Sequence, residues 1–446
     1  MQDVWREENL VQKWLDIEAA LVKVFAEEGI IPEKAAEKII ALSSTTQVGI
    51  ADIRAVTKNT RHIISGFVKT FRKKCGDEGE YYHLGTTTQD ILDTGLVLLI
   101  KEGYAILWQE MHALQDAMLI LAEGHKKTIM AGRTQGLQGL PITFGFKAAI
   151  WASELQDHID RFYELRKRLF LVNISGAMGT KAGFSLLVGA DRATHVEARV
   201  AELLDLDCPV IDLHHRTDRF AEMLNAIALL CSSLGEIGLE LRDLQRTEVA
   251  EVAEPWESRI DGSSSMPHKR NPEPSHWLEG LAKITRANAS AMMDMQVQHE
   301  RDATRTAVEF ACIPESFHCA AAVLRSSKDI LKGLYIDTDR MRENFNLQQD
   351  LNLSEAVMLK LFQKSGRKIE AHGLVKACAA RAFENRQSFR QALMDDPTVS
   401  NYLSRDEIET VLKPENYLGT VVEQVEAVSD AIKSKRKTYL ESQADG

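Results

Sequence analysis

Long segments with helical spacing of apolar residues and almost no proline constrain this chain most. Residues 218–252 contain no proline, and only Gly235 and Gly238 interrupt the helical pattern. Apolar residues also recur at steps of three and four in residues 107–121 and 151–169. A helix rises about 1.5 Å per residue, so these segments predict rods that need partners along their length. The sequence therefore favours an all-α bundle that is completed by other subunits.

The helical pattern changes twice along the 446 residues. Shorter helices are predicted in residues 1–95, long helices in residues 96–345, and shorter helices again in residues 346–446. The chain has only 10 prolines and 26 glycines, which also favours long helices over strands and turns. We therefore predict three all-helical domains, with a small N-terminal domain, a central bundle and a small C-terminal domain.

One polar loop interrupts the central helices. Residues 262–280 read GSSSMPHKRNPEPSHWLEG, and the three serines, three prolines and Asn-Pro step are typical of a loop. A long loop inside a helical chain commonly serves function. The serines lie close in sequence to Lys269, Arg270 and Asn271, so the loop suits anion binding or stabilisation of a serine oxyanion. A solvated basic turn is the alternative interpretation.

Charge and composition argue against several classes of protein. The net charge of -11, with both signs interspersed, does not indicate a nucleic-acid partner. The N-terminal sequence MQDVWREENLVQKW carries charges where a signal peptide needs an apolar run, and we expect no membrane-spanning stretch. We therefore expect a cytoplasmic protein. The six cysteines show no Cys-x-x-Cys spacing, so we expect neither a zinc site nor a disulfide framework, and no other motif indicates a metal or a cofactor.

Several segments together resemble the fumarase/aspartase superfamily. SSSMPHKRNP at residues 263–272 is similar to its signature loop, which we place at 261–275. HLGTTTQD at residues 83–90 is similar to its H-x-G-x-T-S-x-D segment, and GRT at 132–134 to the start of its second region. HERD at 299–302 resembles an element of the adenylosuccinate lyase and 3-carboxy-cis,cis-muconate cycloisomerase branches. The chain is identified by this resemblance as a member of that group.

The resemblance implies an all-α, three-domain homotetramer in which loops from three subunits meet at each active site. It also implies base-initiated β-elimination, in which a proton leaves the carbon beside a carboxylate and a substituent leaves the neighbouring carbon. The intermediate carries two negative charges on one carboxylate, so preorganised donors and a cation must face it. For this chain the expectation is an adenylosuccinate-lyase-like carbon–nitrogen lyase that releases fumarate from a substituted succinate or aspartate.

The resemblance also implies the roles of individual residues. Ser263 is the base, because a nearby lysine and loop N–H groups can stabilise its oxyanion. Lys269 and Asn271 hold one substrate carboxylate, Thr87 and Thr88 hold the other, and Arg301 supplies a fixed charge. Helix capping is the alternative role for the threonines. The predicted substrate-binding set is His83, Thr87, Thr88, Thr134, Gln135, Lys269, Asn271 and Arg301.

Two positions depart from the family pattern together. Most members have a histidine general acid and, five residues after the signature asparagine, a glutamate; this chain has Gln135 and His276 there. Glutamine cannot deliver a proton, whereas a histidine can. His62, in a Thr-Arg-His segment that resembles the adenylosuccinate lyase branch, is a second candidate acid. The predicted proton donor is therefore His276, His62 or a bound water.

The residues that would contact the rest of the substrate also differ. Adenylosuccinate lyases hold a nucleotide phosphate with a serine and an arginine after the HERD element, where this chain has Thr306 and Phe310. Because a phenylalanine cannot bind phosphate, we expect a substrate without a nucleotide. Two alternatives stay open. One is a cycloisomerase-like enzyme that uses the same base and never releases fumarate, and the other is a non-catalytic relative.

Overall fold

The computed structural model describes residues 1–257, 262–298 and 300–444. Asp261, the first residue of the predicted signature loop, and His299 of the HERD segment lie outside the described residues. The helices are α1 Glu7–Glu27, α2 Glu33–Leu42, α3 Ile50–Thr60, α4 Ile63–Cys75, α5 Thr88–Gly124, α6 Phe144–Leu169, α7 Ala182–Val188, α8 Ala193–Leu203, α9 Asp218–Gln245, α10 Glu273–Asp294, α11 Thr304–Gly333, α12 Thr338–Asn346, α13 Ser354–Ser365, α14 Lys368–Glu384, α15 Phe389–Met394, α16 Pro397–Ser400, α17 Arg405–Val411 and α18 Val421–Ala444. Strands β1 Ile129–Thr134, β2 Leu137–Thr143, β3 Val252–Ala253 and β4 Tyr335–Ile336, and short 3-10 helices at Gly76–Tyr81, Leu351–Leu353 and Pro414–Tyr417, complete the described elements.

The predicted long helices are present as α5, α6, α9, α10 and α11, which have 37, 26, 28, 22 and 30 residues. The helix expected over residues 218–252 stops earlier, at Gln245. Beyond it the chain turns back, because Ala250 has a positive φ of 53° and the Glu251 N–H donates to the Leu244 carbonyl at 2.9 Å. The periodic apolar pattern predicted the rod and missed this turn.

The hairpin of β1 and β2 was not expected in an all-helical chain. It is antiparallel, and Thr134 pairs with Leu137 across a two-residue turn. Both turn residues have positive φ, 55° for Gln135 and 80° for Gly136, which is the combination that two-residue hairpins favour. The turn therefore places Gln135 at an exposed tip.

The chain divides into two compact units, each built from three segments. The first unit comprises Met1–Met111, His158–Ser232 and Gly280–Leu324, and the second comprises His112–Asp157, Ser233–Glu279 and Arg325–Gly446. These divisions fall within the long helices rather than at their ends. The division into domains 1–95, 96–345 and 346–446 stays a prediction.

In the first unit, α1 contributes a largely apolar face to the core, on which Glu18 is the buried charged residue. Trp14, Ile17 and Phe25 are each at most 1% exposed. Gly95 on α5 allows close approach, because an added Cβ there would lie 2.9 Å from the Trp14 ring. Removing a buried tryptophan side chain typically costs about 3–5 kcal/mol, so this contact is a major part of the packing of α1.

In the second unit, the C-terminal helices share a core with the hairpin. Ala131 of β1 belongs to the same buried cluster as Phe345 of α12, Val357 of α13 and Phe389 of α15. This packing holds the hairpin from one side. Its other support is polar, because Glu251 accepts hydrogen bonds from both Arg133 and Asn344.

Two helices are long and apolar enough to cross a membrane, contrary to our expectation that no stretch would be. The most apolar windows of α9 and α11 have mean hydropathies of 1.4 and 1.3. Of these windows, 61% and 50% are buried within the protein. Apolar residues on helices of this kind serve the core of a bundle, so their length and composition are weak evidence for a membrane span.

Candidate active site

The N-terminus of α5, in the first unit, carries part of the predicted site. Its first turn leaves backbone N–H groups free and carries the positive end of the helix dipole, which favours a bound anion. The Thr87 N–H donates to the Asp90 carboxylate at 2.8 Å, so Asp90 caps the turn from within. The side chains of Thr87 and Thr88 stay partly exposed, as contact with a carboxylate requires.

Asp90 also ties a second loop to this helix end. Its Oδ1 accepts the backbone N–H of Ser175 at 2.9 Å, and its Oδ2 accepts that of Gly176 at 3.1 Å. Gly85 and Gly176 meet closely here, since a Cβ on Gly176 would lie 3.1 Å from the Gly85 carbonyl oxygen. The loop at residues 175–181 therefore adjoins the predicted carboxylate site.

His214 lies fully buried between two carboxylates. Its Nε2 is 3.0 Å from Asp90 Oδ1, and its Nδ1 is 2.8 Å from Asp212 Oδ1. Neither contact has hydrogen-bond geometry, so both are close polar contacts between the ring and a carboxylate. The neighbouring His215 is exposed instead.

His62 lies beside Thr88 in the same unit. His62 Nε2 is 3.4 Å from Thr88 Oγ1, and His62 Nδ1 accepts the Ser65 N–H at 3.1 Å as the cap of α4. An imidazole nitrogen that accepts a hydrogen bond carries no proton, so in this arrangement the proton sits on Nε2. His62 can thus donate toward Thr88, but it must give up its cap to become the imidazolium.

Two further charged groups belong to the first unit. His83 has a positive φ of 64°, and its Nδ1 lies 2.5 Å from Glu18 Oε1. Arg301 donates from Nη2 to the Ala177 carbonyl at 2.7 Å, while its buried Nη1 has no hydrogen-bond partner among the described residues. Such an unsatisfied guanidinium nitrogen fits an incoming carboxylate.

The described part of the signature loop, residues 262–275, belongs to the second unit. Asn271 Nδ2 donates to the Gly262 carbonyl at 2.7 Å and closes the base of the loop. Ser263 Oγ accepts the Met266 N–H at 3.1 Å. Gly262 is required here, because a Cβ would lie 2.4 Å from the Lys269 carbonyl oxygen. The Ser263 hydroxyl is partly buried and the Lys269 side chain is exposed.

An open cleft of about 730 Å³ adjoins this loop. Six of the side chains that line it are basic or can become so: Arg242, Arg246, His268, Lys269, Arg270 and His276. Asp243 is the acidic residue in the lining. The cleft is therefore suited to an anionic ligand.

The base of the loop is held by buried polar groups that the sequence did not point to. The Glu254 carboxylate accepts the Ser275 N–H at 3.0 Å and also the Ser275 hydroxyl, which caps α10. Burial raises the pKa of Glu254, and the bonds from Ser275 offset part of that rise. Gln245 accepts the Glu254 N–H at 2.8 Å and donates to the Arg270 carbonyl at 3.3 Å.

His276, the other candidate acid, is engaged by an arginine. Arg242 Nη1 lies 2.5 Å from His276 Nδ1, and Arg242 Nη2 donates to Glu279 at 2.6 Å. Since arginine only donates, His276 Nδ1 must accept, and its proton sits on Nε2. Thr134 and Gln135 lie exposed at the hairpin tip.

The predicted residues therefore fall into two groups. His62, His83, Thr87, Thr88 and Arg301 belong to the first unit, and Thr134, Gln135, Ser263, Lys269, Asn271 and His276 to the second. Sequence reasoning missed Glu18, Ser175, Arg242 and Glu254. Of these residues, only Glu18 could have been found from the sequence pattern, because it is a charged residue on the face of α1 that also bears Trp14 and Leu21. Within residues 1–257, 262–298 and 300–444, no cluster of metal-ligating side chains is present.

Comparisons with known proteins agree along nearly the whole chain. A family described as lyase matches residues 1–284, and one described as adenylosuccinate lyase C-terminus matches residues 350–428. The chain is 37% identical to an adenylosuccinate lyase of Pyrococcus horikoshii (99% of this chain, 97% of the relative). It is also 37% identical to an N-acetyl-S-(2-succino)cysteine lyase of Enterococcus italicus (98% and 94%). A 3-carboxy-cis,cis-muconate lactonizing enzyme of Pseudomonas putida superposes with a TM-score of 0.89 at 31% identity (97% and 96%).

Proposed function

The chain belongs to the fumarase/aspartase superfamily, in the branch of adenylosuccinate lyases and 3-carboxy-cis,cis-muconate cycloisomerases, and on that premise we propose its substrate class and residue roles. It is an adenylosuccinate-lyase-like enzyme, a carbon–nitrogen lyase that acts by β-elimination. We infer that it releases fumarate from a substituted succinate or aspartate whose substituent carries no nucleotide phosphate.

Ser263 is the base in this proposal. Its oxyanion removes a proton from the carbon beside one carboxylate, and the electron pair moves into that carboxylate. The Met266 N–H that already donates to Ser263 Oγ at 3.1 Å supports the role, because it stabilises negative charge on this oxygen. Lys269 supplies the cation that faces the carboxylate that becomes doubly charged, and Asn271, on the same loop, supplies a hydrogen-bond donor.

The second carboxylate binds the N-terminus of α5. Thr87 and Thr88 offer hydroxyl and N–H donors there, and Arg301 offers a guanidinium nitrogen that no described residue hydrogen-bonds. His83 adds a further donor. The bond to the substituent on the neighbouring carbon then breaks, the substituent leaves with the electron pair, and fumarate remains.

The observation that carries the substrate class is Phe310. It lies partly exposed on α11, one turn after Thr306, where nucleotide-handling relatives place a phosphate-binding arginine. An aromatic ring offers a phosphate no hydrogen-bond donor. It also displaces water that would solvate the phosphate charge, so it selects against a nucleotide substituent.

The test is a panel of purified substrates assayed by the ultraviolet absorbance of fumarate. Small N-substituted aspartates should be eliminated with kcat/KM at least tenfold above that of adenylosuccinate. The variant Phe310→Arg, combined with Thr306→Ser, should raise adenylosuccinate turnover and leave the small substrates little changed. Efficient turnover of adenylosuccinate by the unaltered enzyme would contradict the proposed substrate class.

A thioether-linked substituent is a second candidate, and the candidate acids favour it. Both His62 and His276 accept a hydrogen bond at Nδ1, so neither is held as an imidazolium. A thiolate, with a thiol pKa of about 8.5, leaves without protonation, whereas an alkyl amine must be protonated. Including S-(2-succino) thiols in the panel compares the two leaving groups, and turnover of the nitrogen-linked compounds alone would reject the thioether.

The cycloisomerase alternative is favoured by the likeness to the lactonizing enzyme of Pseudomonas putida. The same panel resolves it. Conversion of 3-carboxy-cis,cis-muconate with no fumarate from any substituted succinate would replace the elimination that we propose.

We further propose a cytoplasmic homotetramer whose active sites are shared between subunits. Each unit of one chain carries only part of the predicted set, and the free thiols suit a reducing compartment. Mixing an inactive Ser263→Ala protein with an inactive Thr88→Val protein tests the sharing. Mixed tetramers should regain activity that neither parent has, and no recovery after subunit exchange would contradict a shared site.

A further inference from the structure

The proposed function does not use the contact between His83 and Glu18. Glu18 lies on the buried face of α1, and its side chain is 1% exposed. Its Oε1 is 2.5 Å from His83 Nδ1, and Thr86 Oγ1 lies 3.0 Å from the same nitrogen. His83 is itself 19% exposed, and its Nε2 has no hydrogen-bond partner among the described residues.

Glu18 depends on His83 for its charge compensation. Its second oxygen, Oε2, is buried without a hydrogen-bond partner in the described part of the chain. A buried carboxylate with one ionic partner is costly unless that partner is cationic. The pair is therefore most stable when His83 carries both protons, with Nδ1–H directed at Glu18 and Nε2–H directed away from it.

The charged groups around His83 act in opposite directions. Burial lowers the pKa of His83, but the hydrogen bond and charge of Glu18 outweigh burial, and the pKa of His83 is raised. From α4 the Arg72 guanidinium opposes the imidazolium, and from α5 the Asp90 carboxylate supports it. Arg72 is itself directed elsewhere, because it donates to the Tyr82 carbonyl at 2.7 Å.

The backbone fixes the ring on this carboxylate. His83 adopts a positive φ of 64°, which is uncommon for a residue with a side chain and persists where neighbours require it. Gly85 follows with a φ of 69°, and a Cβ there would lie 2.9 Å from the Phe184 ring. This turn leads directly into Thr87 and Thr88, so the ring and the helix end are presented together.

We propose that Glu18 is a positioning residue for the elimination, which holds His83 as an imidazolium whose Nε2–H binds the substrate carboxylate at the N-terminus of α5. Glu18 does not touch the substrate. It acts through His83, in the way that a carboxylate behind a histidine fixes the tautomer and orientation of the ring. This inference rests on the proposed function, because it requires a dicarboxylate at that helix end.

The decisive variant is Glu18→Gln, which keeps the shape and removes the charge. We expect kcat/KM to fall about tenfold to a hundredfold, since hydrogen bonds to charged groups have effects of that size. The alkaline limb of the kcat/KM profile should move to lower pH by about one unit, because the imidazolium loses its carboxylate. A matched control is Glu27→Gln on the same helix, whose partner Arg199 is at the surface, and it should change neither quantity.

Two measurements distinguish a role of Glu18 in positioning His83 from a role in stabilising the fold. If Glu18→Gln does not fold, Glu18→Asp serves in its place. It keeps the negative charge, so it should retain part of the activity and leave the alkaline limb of the kcat/KM profile at its original pH. The double variant Glu18→Gln, His83→Gln should be no slower than His83→Gln alone, because Glu18 acts only through the histidine. A lower activity with an unmoved pH profile, or additive losses in the double variant, would overturn the proposal.

Binding of fumarate, measured by calorimetry across pH, distinguishes the two levels of inference. If the unaltered enzyme neither binds nor releases fumarate, the proposed function fails. If it binds fumarate and Glu18→Gln binds it with the same pH dependence, the proposed function stands and only the role of Glu18 is rejected.

Discussion

The N-terminus of α5 and the signature loop differ in how firmly the chain holds them. Around the helix end, Asp90 accepts three backbone N–H groups and lies fully buried beside His214. In the signature loop, residues 264–270 are all exposed, and the Asn271 bond to Gly262 closes the loop only at its base. The comparison teaches that one part of the predicted site is fixed by buried hydrogen bonds within the chain, while the other consists mainly of exposed side chains with few bonds to the rest of the chain.

The largest expected effect concerns the loop. Ser263→Ala should lower kcat about 10³-fold, because a proton-abstracting group of this kind contributes roughly 10²–10⁴-fold. Binding of fumarate should change little, since the carboxylate donors remain. Ser264→Ala, at the exposed neighbour, is the control, and its kcat should stay close to that of the unaltered enzyme. An equal loss of kcat in both variants would show that the loop, and not the Ser263 base, is affected.

The next effect concerns the rigid side. Asp90→Asn should lower the free energy of unfolding by about 3 kcal/mol, because it replaces a buried carboxylate that accepts three backbone N–H groups and leaves amide hydrogens facing those donors. Denaturant unfolding at matched protein concentration measures it. Asp218→Asn, whose partner Arg216 is at the surface, should cost less than about 1 kcal/mol. Equal losses of unfolding free energy in the two variants would mean that the Asp90 hydrogen bonds do not stabilise the N-terminus of α5 more than a surface ion pair does.

A third experiment compares the two candidate acids, one on each side. His62→Gln should lower kcat about 100-fold, because His62 Nε2 faces Thr88 and can reach a bound substrate. His276→Gln should change kcat less than about threefold, since Arg242 already holds its ring. Steady-state kinetics on the best substrate of the panel measures both effects. A larger loss of kcat in His276→Gln than in His62→Gln would make His276 the proton donor.

The smallest effect concerns the base of the loop. Glu254→Gln should keep activity within about twofold, because the amide oxygen still accepts both bonds from Ser275, whereas Glu254→Ala should cost about 1 kcal/mol as a lost helix cap. The raised pKa of Glu254 adds a pH dependence with a definite sign. The carboxyl favours folding below its unfolded pKa and loses that contribution as pH rises through its folded pKa, and Glu254→Gln should remove this slope.

Much of the fold was predictable because its signals are local. The all-α fold with its long helices follows from apolar spacing and scarce prolines. Its fumarase/aspartase type was implied by the resemblance of the polar motifs, and the solved relatives agree with it. The hairpin of β1 and β2 was missed, since its decisive feature is a pair of positive φ angles at Gln135 and Gly136. Where α9 ends was also missed, because the turn at Ala250 is held by residues distant in sequence such as Asn344.

The sequence by itself determined the class of this protein. The order of its polar motifs identified the superfamily and the β-eliminating chemistry, because a chemical reaction demands particular side chains at particular places in the chain. The tertiary structure alone decided which carboxylate faces which histidine. Glu18 meets His83, and Arg242 meets His276, across 65 and 34 residues of chain, and only packing brings such pairs within hydrogen-bonding distance.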